Sequence, residues 1–316
     1  ILAALNRPDE QFRNWLMGEM EKASPRPRER LLAMFDALED WLFAAGAVSV
    51  TLEDDADQPL LEPGPGETPL WDAVRLTALF PGDMDLHPLL DMTPPLPVLE
   101  TPREPVRVMD QEWTRVWEEQ FHPMKMGTRL WICPSWTPPP DPDAINILLD
   151  PGLAFGTGTH PTTAMCLRAI DAGLSEGQRV IDYGCGSGIL GIAAARLGAA
   201  TVLAVDNDPQ AITASCDNAA RNQVDDATFS AVLPDDACLH GALASADWVL
   251  ANILAGPLIE LAPHLISLMA PGGRLLLAGL LSDQVEEVVA AYARAVNLRV
   301  VDQVEDWVLL AGQRTA

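Results

Sequence analysis

Residues 179–208 read RVIDYGCGSGILGIAAARLGAATVLAVDND, and this stretch indicates the fold of most of the chain. The apolar run at 179–182 predicts a buried strand, and residues 189–197 predict a helix that Gly198 ends. A second apolar run at 201–206 predicts the next strand. Because a strand, a helix and a second strand follow one another so closely, the stretch predicts a βαβ unit with parallel strands.

The same alternation continues to the end of the chain. Asp208 has the side chain of a helix N-cap, and Pro209 suits the first turn of a helix that is expected to run to about Arg221. The further predicted elements are helices at 163–170, 257–269 and 282–295, strands at 247–251 and 274–278, and an antiparallel hairpin of strands 298–303 and 307–312. Alternating strands and helices predict a doubly wound parallel sheet with helices on both faces.

The first half of the chain has a different character. Residues 31–42 carry Leu, Phe and Trp at helical spacing and predict a helix that Gly46 ends. The other predicted elements are strands at 47–52, 74–80 and 106–109 and helices at 10–22 and 111–120. The predicted organisation is an extension over 1–27, a small α+β domain over 28–104, a linker over 105–127 and a large α/β domain over 128–316.

Composition limits the partners of this protein. Its 316 residues include 20 basic and 45 acidic ones, so the formal net charge is −25. This charge repels phosphates, and we expect no direct nucleic-acid partner, although a local basic patch is compatible with it. No apolar run approaches the roughly 18 residues of a membrane span, so we expect no membrane partner.

The cysteines indicate a reduced, cytoplasmic protein without bound metal. They form no C-x-x-C pair and no run with the histidines at metal-ligand spacing. The five are Cys133, Cys166, Cys185, Cys216 and Cys238.

The glycines after the first strand predict a ligand site. Gly184 allows a tight turn in which backbone amides can approach a ligand at the start of a helix. Asp206 ends the next strand, where its carboxylate can accept hydrogen bonds from both hydroxyls of a ribose. Together the two residues predict an adenosine-bearing small molecule at the carboxyl ends of the first two strands. Glycines that serve only close packing are the alternative.

These residues by themselves do not choose the cofactor. Gly186, Gly188 and Gly191 satisfy the dinucleotide fingerprint G-x-G-x-x-G, which is typical of NAD-dependent dehydrogenases. Asp182 precedes the glycines and would place a carboxylate near the cationic amino-acid end of S-adenosylmethionine rather than beside a pyrophosphate. The predicted terminal hairpin also favours S-adenosylmethionine over NAD.

Two further segments contain candidate site residues. Residues 149–163 read LDPGLAFGTGTHPTT and form a loop that can close over a ligand, unless Thr162 or Thr163 simply caps the next helix. His160 in this loop is either a base or, more typically, a structural residue. Asn252 follows the strand at 247–251, where its side chain can accept a hydrogen bond from an amine and direct the nitrogen lone pair at a methyl group. The alternative for Asn252 is a helix cap.

Several long motifs occur together in one order. They are LDPGLAFGTGTHPTT, VIDYGCGSGILGIAAARLGAATVLAVDNDPQAI and ANILAGPLIELAP, preceded by GAVSVTLED, PGETPLW and FHPMKMGTRLWICPSW. This set strongly resembles the ribosomal protein L-eleven (L11) methyltransferase family, PrmA, from about Leu31 onward.

The resemblance implies a seven-stranded, Rossmann-like class I methyltransferase domain behind a small substrate-recognition domain joined by a flexible linker. It implies S-adenosylmethionine as the methyl donor and lysine ε-amines and the N-terminal α-amine of ribosomal protein L11 as acceptors. It also implies donor-binding roles for Thr163, Gly184, Asp206 and Asn252, with Asn252 at the reacting centre. An NAD-dependent dehydrogenase, a binding domain without turnover, and a methyltransferase acting on another protein's amine or amide are the alternatives.

Overall fold

The computed structural model describes residues 27–54, 74–90, 105–108, 121–150, 160–236 and 246–315. The chain divides into two compact units, residues 1–111 and 112–316. The helices predicted at 10–22 and 111–120, and most of the glycine-rich loop at 149–163, lie outside the described residues. The three predicted boundaries between the four segments stay predictions.

The described part of the first unit contains one long helix, a pair of antiparallel strands and a short helix. Helix α1 (Pro27–Ala44) ends before Gly46, which has a φ of +100°. Strands β1 (Ser49–Asp54) and β2 (Val74–Leu79) pair in an antiparallel register, and the short helix α2 (His87–Leu90) follows. The core of the unit consists of buried side chains from α1, from the turn after it and from β2, namely Leu38, Leu42, Ala47, Leu76 and Ala78. The predicted helix and the predicted strand at 74–80 are confirmed.

The strand predicted at 106–109 is wrong over the part that the structure describes. Residues 105–108 have no regular structure, and Val106 and Val108 are exposed. Their apolar character suggested a strand, but no described strand lies alongside to accept their backbone hydrogen bonds.

The described part of the second unit begins with a small three-stranded sheet. Its strands are β3 (Met124–Met126), β4 (Leu130–Cys133) and β5 (Ile145–Leu148), in that order. These strands were not predicted, because three or four residues between proline-rich segments are too few to show a period of two. Strand β3 lies within the segment predicted as a linker and pairs with β4.

The main sheet has seven strands in the order β11-β12-β10-β9-β6-β7-β8. The strands are β6 (Arg179–Tyr183), β7 (Thr201–Val205), β8 (Phe229–Val232), β9 (Ala246–Asn252), β10 (Met269–Leu281), β11 (Arg299–Val304) and β12 (Trp307–Gln313). The helices are α3 (Pro161–Gly173), α4 (Ile189–Arg196), α5 (Pro209–Arg221), α6 (Ala255–Glu260), α7 (Ala262–Leu268) and α8 (Val285–Tyr292). Strand β12 runs antiparallel to both of its neighbours, which confirms the predicted hairpin. Strand β6 runs parallel to β7 and to β9, which confirms the predicted parallel core of the sheet.

Alternate residues of the same strands face two separate cores. Val180 and Leu250 pack on the side of α3, α4 and α5, where the small sheet also contributes. Ile181 and Val249 pack on the side of α6, α7 and α8. A parallel sheet that is covered by helices on both faces requires this alternation, because both of its faces are buried.

Two predicted helices differ in detail. The helix predicted at 257–269 is two helices, α6 and α7, because Pro263 has no N–H to donate and cannot continue a helix from the preceding turn. The helix predicted at 282–295 begins as the 3₁₀ turn Ser282–Gln284 and becomes α-helical only at Val285. Strand β8 was not predicted.

Among the helices that the structure describes, none combines the length and apolar character needed to cross a bilayer.

Candidate functional site

The predicted site residues follow three neighbouring strands of the main sheet. Tyr183, near the end of β6, pairs with Val205 of β7 on one side and with Ala251 of β9 on the other. Each of these three paired residues is followed in the chain by a predicted site residue, namely Gly184, Asp206 and Asn252 in turn. Because the three strands are parallel, these residues lie side by side at the carboxyl edge of the sheet, where ligands bind in folds of this type.

Gly184 begins the loop between β6 and α4 with a φ of +77°. The amides of Gly184 and Cys185 donate to the carbonyl of Val205 at 2.7 and 3.1 Å. A Cβ at position 184 would collide with the Ile253 side chain, which follows Asn252. Both the left-handed backbone and this close approach require glycine here, so the loop is held against the ends of β7 and β9.

Asp206 connects the glycine loop to the following turn. Its Oδ2 accepts a hydrogen bond from the Gly186 amide at 2.9 Å, and its Oδ1 accepts one from the Asp208 amide at 3.0 Å. The side chain is half-buried. A carboxylate oxygen has a second lone pair, so each oxygen of Asp206 can accept one further hydrogen bond from a ligand hydroxyl.

Asn252 is hydrogen-bonded to the first turn of helix α3. Its Nδ2 donates to Oγ1 of the buried Thr163 at 3.2 Å. Within the part of the chain that the structure describes, Asn252 Oδ1 accepts no hydrogen bond. Helix α6 begins only at Ala255, with Leu254 at its N-cap, so the alternative role of Asn252 as a helix cap is wrong. The Thr163 hydrogen bond leaves one acceptor of the amide available to a ligand.

Helix α3 begins two residues earlier than predicted, and its cap is histidine rather than threonine. The N-cap is His160, whose Nδ1 accepts from the Thr162 amide and lies 2.7 Å from Thr162 Oγ1. The imidazole packs edge-on against Trp307 with ring centroids 4.8 Å apart. Burial lowers the pKa of His160. These contacts favour the structural role of His160 over the catalytic one.

Asp182 lies inside the sheet below the glycine loop. It is almost fully buried, and its Oδ2 accepts a hydrogen bond from the Gly191 amide at 2.9 Å. Burial, aided by the negative charge of Asp206, raises the pKa of Asp182 to about 7, although the Gly191 hydrogen bond acts in the opposite direction. Asp182 Oδ1 has no hydrogen-bond partner among the described residues. Its predicted position near the cationic end of a donor stays a prediction.

Asp171 fixes the other end of helix α3. Its carboxylate accepts hydrogen bonds from the Thr128 amide and hydroxyl at 2.6 and 2.9 Å and from Arg129 Nε at 3.1 Å. Burial raises the pKa of Asp171, but these hydrogen bonds lower it more, so the net pKa is below its usual range. Sequence reasoning missed Asp171, because its partners lie more than 40 residues away in the chain.

The seven-stranded main sheet, in which β12 runs antiparallel between β10 and β11, has the architecture of a class I methyltransferase. The family model of the ribosomal protein L11 methyltransferase (PrmA) matches residues 31–315. This chain therefore belongs to the ribosomal protein L11 methyltransferase family.

Individual relatives agree with this assignment. Proteins named ribosomal protein L11 methyltransferase from Shewanella amazonensis and Azotobacter vinelandii are 50% and 52% identical to this chain. Each alignment covers 88% of this chain and 94% of the relative. A crystal structure of a ribosomal protein L11 methylase from Lactobacillus delbrueckii subsp. bulgaricus superimposes with a TM-score of 0.55 at 33% identity, covering 62% of this chain and all of that chain.

Proposed function

We propose that this protein transfers methyl groups from S-adenosylmethionine to lysine ε-amines and the N-terminal α-amine of ribosomal protein L11. The observation that carries the proposal is the meeting of Gly184, Asp206 and Asn252 at one edge of the sheet, with Thr163 hydrogen-bonded to Asn252. Family membership supports the substrate and favours a methyl donor over the dinucleotide that the G-x-G-x-x-G pattern also fits.

Four residues are proposed to hold the donor, without a metal ion. Gly184 is proposed to act through the course of its loop, which packs against Ile253 and presents its backbone to the donor. Asp206 is proposed to accept hydrogen bonds from the two ribose hydroxyls. Asn252 and Thr163 lie at the reacting end, where their mutual hydrogen bond fixes the Asn252 amide before a substrate arrives. A side chain that is already fixed loses little entropy when a ligand binds.

The donor supplies an electrophilic methyl group on a sulfonium. The reaction forms a bond from the amine nitrogen to the methyl carbon while the carbon–sulfur bond breaks and its electron pair remains on sulfur. A proton then leaves the alkylated nitrogen for water. Asn252 Oδ1 is proposed to accept an N–H of the incoming amine and so direct the lone pair along the line of attack. Alignment of this kind can lower a barrier by roughly 7–11 kcal/mol.

The amine must lose its proton before it can attack. A free lysine has a pKa near 10.4, so only a small fraction is nucleophilic at neutral pH. Burial of the amine and the positive charge of the donor both lower that pKa. A carboxylate in place of Asn252 would stabilise the ammonium form, whereas an uncharged amide orients the amine without doing so.

Two further features support this substrate. The formal charge of −25 attracts a basic protein over a distance, while the group proposed to touch the amine is neutral. We also propose that the first compact unit recognises the substrate. We assign the activity to the cytoplasm, because reduced thiols suit that compartment.

The test is methylation by the full chain of purified ribosomal protein L11 and of a mixture of ribosomal proteins, with isotopically labelled donor. Mass spectrometry of peptides then assigns each label to a residue. We expect label on lysine and N-terminal amines of L11, and about a hundredfold slower labelling when Asn252→Ala replaces the wild type. Label confined to another protein, or to an amide nitrogen, would contradict the proposal that amines of L11 are the acceptors. No label on any protein would indicate a binding domain without turnover.

A further inference from the structure

The second unit has another concave site, at the amino ends of the strands. A groove of about 770 Å³ lies between the C-terminal end of α3, the start of β9 and β10, and the β11–β12 hairpin. Trp248 of β9 pairs with Arg274 of β10 in this groove. Asn252 lies four residues further along β9, which corresponds to about 13 Å at the rise of a strand. The groove is therefore separate from the edge that contains Asn252.

Three arginines from different elements line the groove. They are Arg274 from β10, Arg299 from β11 and Arg314, which follows β12. None of the three forms an ion pair with a carboxylate of the described residues, whereas four other arginines of the same unit do. Because the chain as a whole has 20 basic residues against 45 acidic ones, the groove has the opposite sign of charge to the rest of the protein.

Two of the three guanidinium groups are held in position by their neighbours. The Arg274 guanidinium lies 5.2 Å from the centre of the buried Trp248 ring. Gly173 at the end of α3 makes room for it, since a Cβ there would come within 3.0 Å of Arg274 Nη1. Arg314 Nη1 donates a hydrogen bond to the carbonyl of Met269. Their placement lowers the entropy that a ligand must overcome on binding.

Arginine groups that converge on one space suit a phosphate. A guanidinium presents two parallel N–H donors to the oxygens of a phosphate, and its charge is permanent. The groove also has an apolar wall that includes Val301 and Ala311. Its volume falls in the range of roughly 300–1,000 Å³ that is usual for small-molecule sites. We infer that this groove binds a phosphorylated small molecule, with its phosphate among the arginines and its organic part against Val301.

A small ligand fits this charge distribution better than a nucleic acid does. One or two phosphates can be neutralised by the three arginines alone. A polynucleotide would extend beyond the groove and place further phosphates against a protein whose net charge is −25.

The experiment is calorimetric titration of the full chain with pyrophosphate and with uridine diphosphate at low salt. Saturating S-adenosylhomocysteine is added to occupy the donor site, and these probes carry no adenine. We expect both to bind and uridine not to bind. The exposed Arg299→Gln should weaken binding about tenfold, and the double variant with Arg274→Gln about a hundredfold. Arg294→Gln removes the same charge from an exposed arginine outside the groove and should leave the affinity within about twofold.

Three results would overturn the inference. They are no binding of either probe at millimolar concentration, an equal loss in Arg294→Gln, and binding of single-stranded RNA without binding of either small probe. Thermal melting and the affinity for S-adenosylhomocysteine show whether each variant is folded. Because the probes do not use the donor site, this test stands whether or not the protein methylates L11.

Discussion

The two edges of the main sheet differ in how their polar side chains are held. At the carboxyl edge, Asp206 and Asn252 are half-buried and hydrogen-bonded to Gly186 and Thr163. At the amino edge, Trp248 and the Met269 carbonyl hold Arg274 and Arg314, but Arg299 is exposed and has no carboxylate partner among the described residues. Groups fixed by the surrounding backbone can orient a reacting molecule, because their own orientation is settled before it binds. Exposed cations attract an anion but orient it less.

The comparison predicts that Asn252→Ala has the largest effect on methyl transfer. We expect kcat to fall about a hundredfold or more, since a small misplacement of the reacting amine has an effect of that order. The matched control is Asn207→Ala, which removes an exposed asparagine next to Asp206 and should leave kcat unchanged. Single-turnover kinetics with L11 as the acceptor measure the change, and an unaltered rate in Asn252→Ala would remove this residue from the mechanism.

Gly184→Ala should weaken donor binding by more than about tenfold, because it adds a Cβ against Ile253 at a positive φ. Ile253→Ala in the same chain removes the collision and should restore part of the affinity. The remaining loss measures the backbone strain. Gly256→Ala is the control, since a Cβ at position 256 meets no atom within 4 Å. Calorimetry with S-adenosylhomocysteine distinguishes the three variants, and equal affinities would show that the loop does not form the donor site.

Asp206→Ala is expected to lower the affinity for S-adenosylhomocysteine by about tenfold through the loss of hydrogen bonds to a charged acceptor. The variant Asp208→Ala distinguishes a loss of donor affinity from a loss of protein stability. Asp208 Oδ1 accepts the Gln210 amide at the start of α5, so its loss should cost about 1 kcal/mol of stability without changing donor affinity. Equal donor affinities for wild type and Asp206→Ala would contradict the ribose role.

The smallest effect on turnover is expected for Asp182→Asn. The main effect of this substitution should be on how the free energy of unfolding depends on pH. The pKa of Asp182 is about 7 in the folded protein, above the value near 3.9 of an unfolded chain. The folded state therefore binds more protons between those values, and stability falls as the pH rises from about 4 to about 7. Asn does not titrate, so this part of the pH dependence should disappear from urea unfolding curves. Identical pH profiles for both proteins would show that Asp182 titrates normally.

Local sequence patterns were sufficient to predict where most site residues lie. Gly184, Asp206 and Asn252 each follow an apolar run that ends at one edge of a parallel sheet, so their proximity follows from topology alone. The prediction of a single helix at 257–269 was wrong, although Pro263, which cannot continue a helix, marks the break between α6 and α7. Strands β3, β4 and β5 could not be predicted from the sequence, because each contains only three or four residues.

Contacts between distant segments could not be predicted in the same way. The Asn252–Thr163 hydrogen bond joins residues 89 positions apart, and Asp171 is paired with Arg129 across 42 positions. Arg274, Arg299 and Arg314 share no motif, so nothing in the sequence indicates that they line one groove.

The order of residues along the chain fixed the alternation of strands and helices, the glycine turn and the family, because these depend on periodicity and on side chains adjacent in sequence. Only the folded structure showed that Asn252 Oδ1 accepts no hydrogen bond from the described residues, that Ile253 excludes a side chain at position 184, and that three arginines line one groove. Those properties depend on distances between segments, and the packing of the sheet against its helices sets such distances.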